Sequence, residues 1–159
     1  MDVEKLREQS GLRLDKEGRF WHRGGLIEHA RTLAVLHRGV HRAPDGRWAA
    51  RIGREWGYLE VEDAALFVHR IDSRQGARAQ LASGEWVPVE SFASGADDAL
   101  YVRVRGERAR LTRAAQLALA DQLREEAPGV FALELSGRLW PIGRDEGPEP
   151  RRQAGGPHL

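Results

Sequence analysis

Short runs of alternating apolar and polar residues, each closed by a turn signal, recur along this chain and leave little room for long helices. Pro44-Asp45-Gly46 separates Val40–Arg42 from Arg47–Ile52. Ser83-Gly84-Glu85 separates Arg78–Ala82 from Trp86–Val89, and Ser136-Gly137 separates Val130–Leu135 from Arg138–Ile142. Tyr58-Leu59-Glu60-Val61-Glu62 alternates as a half-buried strand does, and the apolar run Leu66–Ile71 follows it. Two stretches have helical period instead. Ile27, Ala30, Leu33, Ala34 and His37 form a stripe that predicts a helix over Ile27–Arg38, with Gly39 as its stop. Ala115, Ala118, Leu119 and Leu123 predict a second over Arg113–Ala127, capped by Thr112 and ended by Pro128-Gly129.

The order of elements repeats. A hairpin precedes each helix (Leu12–Arg23 and Leu100–Leu111) and another follows it (Val40–Ile52 and Val130–Ile142). Gly46-Arg47-Trp48 leading to Ile52-Gly53 echoes Gly137-Arg138-Leu139-Trp140 leading to Ile142-Gly143. The expected fold class is therefore α+β: two similar hairpin–helix–hairpin halves, mostly antiparallel sheet, packed together. The predicted divisions are an N-terminal extension over 1–10, an N-terminal half over 11–72, a C-terminal half over 73–143 and a disordered tail over 144–159. Tryptophans at 21, 48, 56, 86 and 140 offer large apolar surfaces for the packing.

Composition narrows the function classes. The 159 residues are 41% hydrophobic and 31% charged, as in a globular protein. The formal net charge is +1, so global electrostatics predicts neither a nucleic-acid nor a membrane partner. No apolar run approaches the roughly 18 residues of a spanning helix. The charged N-terminus lacks the core of a signal peptide, and cytoplasmic residence is expected. Of the 25 basic residues only Lys5 and Lys16 are lysines, and asparagine is absent, as a GC-rich bacterial genome would produce.

Catalytic signatures are missing. Without cysteine there is no disulfide, thiolate metal site or cysteine nucleophile. No Gly-x-Ser-x-Gly elbow, Walker A loop or dinucleotide fingerprint occurs. His29 and His37 stand about two helical turns apart, too far to share an ion, and Gly39 interrupts the spacing of His37 and His41. No metal, cofactor or catalytic residue is predicted. Glu60, Glu62 and Asp63 form an acidic cluster that, with Glu55 and His29, makes a candidate polar group; a solvated strand edge with a turn-forming Asp63 explains the acids more simply. An enzyme would need His29 or His69 beside Glu55, Glu62 or Asp63.

The segment from Tyr101 to Leu111 is the most informative. A two-residue turn at Gly106-Glu107 would set Arg105 opposite Arg108 and Arg103 opposite Arg110, with all four arginines on one face. Like charges so placed repel. An anionic ligand or acidic protein segment, structural partners such as Glu60 and Glu62 on a neighbouring strand, or open solvent could each offset the repulsion.

In order, Gly18-Arg-Phe-Trp-His, Gly25-Leu-Ile-Glu-His, Asp45-Gly46, Glu55, Leu59-Glu-Val-Glu-Asp63, Phe67, Tyr101-Val-Arg-Val-Arg, Ala109-Arg-Leu-Thr-Arg113, Ser136-Gly137 and Ile142-Gly143 resemble the bacterial domain of unknown function 1285 (DUF1285) family. The resemblance implies an α+β fold with two similar halves. It implies no catalytic residues and is consistent with ligand-dependent signalling or regulation. The leading expectation is a non-enzymatic module binding a small anion or a protein partner. An assembly protein, such as a homodimer pairing through open sheet edges, is the structural alternative.

Overall fold

The computed structural model describes residues 3–148 and divides into two compact units, one running to Ala65 and the other from Leu66 to Gly147. Among the described residues the fold is sheet-rich α+β, with two mixed sheets, three short α-helices and two 3-10 turns.

The first unit opens with helix α1 (Val3–Glu8). Strands β1 (Leu12–Leu14), β2 (Phe20–His22) and β3 (Gly25–Leu26) form a meander, and helix α2 (Ala30–Gly39) leads to a second meander of β4 (Val40–Arg42), β5 (Trp48–Ile52) and β6 (Glu55–Val61). Parallel pairing of β1 with β6 joins them in the order β3-β2-β1-β6-β5-β4. Leu14, Phe20, Leu36, Ala49, Ala50 and Leu59 are among its buried apolar residues. Phe20 meets His37 of α2 edge to face at 4.8 Å between ring centres.

The second unit begins with β7 (Leu66–Asp72), β8 (Arg78–Leu81) and β9 (Trp86–Pro88). Strands β10 (Ser91–Ser94), β11 (Leu100–Val104) and β12 (Glu107–Leu111) come next, then helix α3 (Arg113–Ala118) and strands β13 (Leu123–Ala127), β14 (Val130–Leu135) and β15 (Arg138–Arg144). Parallel pairings β10–β15 and β12–β7 complete a nine-stranded sheet, β13-β14-β15-β10-β11-β12-β7-β8-β9. One face carries the core, with Val68, Val87, Phe92, Val102, Val104, Leu111, Leu133 and Trp140 packed against Ala115 and Leu119.

Several expectations are corrected. Helix α2 starts at Ala30, not Ile27, because the Ile27 amide still donates to the Phe20 carbonyl at 2.9 Å and holds the chain extended. Gly39 is the last residue of α2, and a Cβ there would collide with the Arg51 carbonyl oxygen, so the close approach to β5 demands glycine. The Thr112 hydroxyl accepts the predicted cap bond from the Ala115 amide at 3.2 Å. The helix that follows ends at Ala118, not Ala127: Ala115 and Leu119 are buried, but Leu123 opens strand β13, and Pro128-Gly129 turns that strand into β14. Strand β7, expected in the N-terminal half ending at 72, is hydrogen-bonded beside β12 with Phe67 and Val68 buried. Arg144 and Asp145, expected in the tail, belong to the sheet: Arg144 pairs with Ser94, and the Asp145 amide donates to the Ser94 carbonyl at 2.8 Å. Residues 149–159 of the predicted tail lie outside the described residues.

The N-terminal extension is pinned down. The Arg7 guanidinium lies 3.9 Å over the Trp56 ring, and Glu8 pairs with Arg47 at 2.7 Å. Of the five tryptophans only Trp140 is buried; Trp21, Trp48 and Trp56 each carry an arginine over the ring. Among the described residues no helix is long and apolar enough to cross a membrane.

Candidate functional site

The β11–β12 hairpin exists, but its turn lies one residue earlier than predicted, which moves each cross-strand partner by two residues. Its turn is Arg105-Gly106, with φ of 51° and 73°. Positive φ at both central residues is the geometry whose twist suits two antiparallel strands, and it outcompetes the Gly106-Glu107 alternative. The pairs are Val104 with Glu107, Arg103 with Arg108, Val102 with Ala109 and Tyr101 with Arg110. Arg103, Arg108 and Arg110 thus share a face with Tyr101, while Arg105 sits at the tip.

Each guanidinium has its own environment. Arg105 grips Glu85 with two parallel bonds of 2.9 and 2.8 Å, and this acid raises its pKa. Arg108 donates through Nε and Nη2 to the two oxygens of Asp145 at 2.8 and 2.7 Å, with both side chains only 10% exposed. Arg108 also lies 4.0 Å over the Tyr101 ring. Arg110 lies 5.7 Å from that ring centre and donates to the Tyr101 hydroxyl at 3.4 Å. Arg103 donates to the Gly106 carbonyl at 3.0 Å. The Gly106 amide in turn donates to Glu90 at 2.8 Å. Repulsion between Arg103 and Arg108 is therefore offset by Asp145 and the Tyr101 ring, while Glu60 lies on β6 of the first sheet and Glu62 in the bend after it.

The second candidate group lies within the first unit, apart from His69, which is on β7. Glu55 and Glu60 are exposed residues of β6. Glu62 stands 3.6 Å from Arg13 and accepts from the Lys16 amide at 3.2 Å. Asp63 follows in the loop after β6, and His29 is the residue before α2, its Nδ1 3.4 Å from the Thr32 hydroxyl. Among the described residues no group of three or more His, Asp or Glu side chains is arranged to hold a metal ion.

The most perturbed acids are ones the sequence reading passed over. Asp15, 4% exposed, accepts from the Trp21 indole at 2.9 Å, from Arg19 Nε at 2.8 Å and from the amides of Glu17 and Arg19 at 2.9 Å. Burial works to raise its pKa, but these donors outweigh it and bring it to about 2. Asp45 is also lowered, burial again being outweighed by the amide and guanidinium of Arg47 and by the Tyr58 hydroxyl. Asp72 is brought to about 2 by Arg74. An aspartate at or soon after the end of a strand with an arginine two or four residues on is the signal that could have found all three.

Neither the family models nor the curated proteins hold a match to the chain. Two solved structures do match. A DUF1285 family protein from Silicibacter pomeroyi has a TM-score of 0.63 at 21% identity, over 87% of this chain and 82% of its own. A DUF1285 family protein from Shewanella baltica has a TM-score of 0.53 at 18% identity, over 70% and 91%. These values show a shared architecture, so the fold of this chain is that of the DUF1285 family proteins.

Proposed function

We propose that the chain is a non-enzymatic binding module of the bacterial cytoplasm, with a regulatory or signalling role, whose arginine hairpin recognises an anionic group. That group is a carboxylate or phosphate on a small ligand or on an acidic protein segment. The reading is carried by one contrast: Arg105 and Arg108 each clasp a carboxylate with two bonds, whereas the hydrogen bond of Arg103 goes to a carbonyl. A guanidinium has five N–H donors, so Arg103 keeps most of its fork for an incoming anion. Arg105 and Arg108 frame it, and Arg110 extends the same face.

The lowered acids favour binding over acid–base catalysis. Asp15, Asp45 and Asp72 are held ionised by arginines, the opposite of the raised pKa that a general acid needs at neutral pH. Glu62, a candidate for the enzyme alternative, is engaged by Arg13 and by the Lys16 amide.

We further propose that the halves are copies of one unit of three strands, a helix and three strands, a wider unit than hairpin–helix–hairpin. Strand order supports this: β3-β2-β1-β6-β5-β4 in the first sheet corresponds to β12-β11-β10-β15-β14-β13 in the second. The corresponding turns β2–β3 and β11–β12 both use an Arg-Gly pair with positive φ, Arg23-Gly24 and Arg105-Gly106. The Gly-Arg echo is not part of this correspondence, because Gly46 lies between β4 and β5 and Gly137 between β14 and β15.

Thermal-shift measurements with citrate and phosphate at fixed ionic strength test the binding reading. Either anion should raise the melting temperature of the wild type, the rise should vanish in Arg103→Ala, and Arg105→Ala should retain it. No rise in the wild type, or an equal rise in Arg103→Ala, refutes the assignment.

A further inference from the structure

We infer that the open face of the second sheet beside Arg103 docks an extended protein segment that carries a carboxylate and an apolar anchor; this rests on the reading of Arg103 above. The register defines the face. Leu133, Leu135, Trp140 and Phe92 point into the core, so their neighbours in sequence point the other way. Val130, Ala132 and Glu134 of β14, Leu139 and Pro141 of β15, and Ser91 and Ala93 of β10 therefore share the face of Arg103, which pairs with Ser91. Val130 is 53% and Leu139 48% exposed, and Ser91 and Pro141 are exposed as well, whereas Ala132 is buried and Glu134 pairs with Arg124, so the accessible strip runs from Leu139 past Pro141 and Ser91 to Arg103. Ala93 and Gly143, paired in the adjacent row, keep the surface low.

An apolar strip thus ends on a cation whose described hydrogen bond is to a carbonyl. The complementary occupant has an acid at one end and an apolar side chain at the other. Two strand spacings separate Arg103 from β15, about 10 Å, and Leu139 lies two residues further along it, so an acid and an anchor four residues apart in an extended segment span the gap. An open sheet face lacks the concave walls that a small apolar ligand requires, which favours a polypeptide.

The segment lies on the face because both edges of this sheet resist strand addition. Strand β9 has three residues and ends in Pro88, which has no N–H. Strand β13 is interrupted by an irregularity at Glu126, and Arg124 covers its edge by bonding the carbonyls of Asp121 and Leu123 and pairing with Glu134.

The test uses the full chain and two fluorescein-labelled serine decapeptides, one with glutamate at its third position and leucine at its seventh and one with the glutamate alone, followed by fluorescence anisotropy. The leucine-bearing peptide should bind about tenfold or more tightly than the other, the increment expected for burying one large apolar side chain. Leu139→Asp should remove that preference, leaving the citrate thermal shift intact, and Arg103→Ala should weaken both peptides. Equal binding of the leucine-bearing peptide by wild type and Leu139→Asp, or none by the wild type, overturns the inference. The anion reading still stands in either case if citrate stabilises the wild type and not Arg103→Ala. A dimer in sedimentation that Leu139→Asp dissociates also overturns it, by showing that a second copy covers the face.

Discussion

The hairpins β2–β3 and β11–β12 start from the same Arg-Gly turn and diverge in what their arginines do. In the first sheet the strand after the turn stops at Leu26, and Arg19 and Arg47 pair with acids of their own turns, while Arg47 also reaches Glu8 and Arg13 reaches Glu62. Arg19 reaches Asp15 four residues back, Arg47 reaches Asp45 two residues back, and Arg13 and Arg19 flank the Trp21 ring. In the second sheet the strand after the turn runs on to Leu111, and its arginines take acids from remote segments: Glu85 is 20 residues from Arg105, and Asp145 is 37 from Arg108. Local pairs stiffen a turn. The remote pairs tie strand β12 to the residues after β15 and the tip of the hairpin to the β8–β9 turn, whereas Arg103 donates to the Gly106 carbonyl.

The largest test of this difference is Asp145→Ala. It leaves the buried Arg108 without its carboxylate and should cost about 3 kcal/mol in urea unfolding, whereas Glu17→Ala, which removes an exposed partner of Arg19 two residues away, should cost no more than about 1 kcal/mol. Equal losses would mean that the remote pair is not the stronger tie.

A smaller loss, about 2 kcal/mol at neutral pH, is expected for Asp15→Asn, from a carboxylate held at about 2 against an ordinary 3.8. The folded-state pKa is depressed, so the stabilisation is present above the unfolded value and is lost as pH falls through the folded one. Urea midpoints of wild type and variant should converge between about pH 4 and pH 2. A gap that persists at pH 2 would point to packing around Trp21 and not to charge.

The smallest effect belongs to Arg105. Its pair with Glu85 is exposed, and its φ of 51° suits glycine, so Arg105→Gly should leave the melting temperature unchanged or raise it slightly. Arg105→Val, branched at Cβ, should lower it. A marked fall in Arg105→Gly would show that the remote pair at the hairpin tip matters more than the turn.

Much of the architecture was legible from local chemistry. The turns at Asp45-Gly46, Gly84 and Gly137, the Thr112 cap and the presence of an arginine hairpin each follow from residues within a few positions of one another. The misjudged helix over 113–127 marks the limit of that reasoning. Leu123 has helical spacing from Leu119, but pairing of β13 with β14 captures it in a strand. The hairpin face was legible as a concentration of charge, although the turn lies one residue earlier than predicted. Asp15 was legible as a turn acid with an arginine four residues on, but its burial was not, because its partners include an indole brought beside it by strand pairing.

By itself the sequence determined where the chain reverses, which residues alternate and which faces must turn inward, because these depend on backbone preferences and side-chain polarity a few residues at a time. The tertiary structure alone decided the parallel pairings β1–β6, β7–β12 and β10–β15, and with them the acids that reach Arg105 and Arg108. Each such contact joins segments separated by many residues. The choice among candidate partners rests on how two whole sheets bury their apolar faces, a sum over the entire fold that no local motif contains.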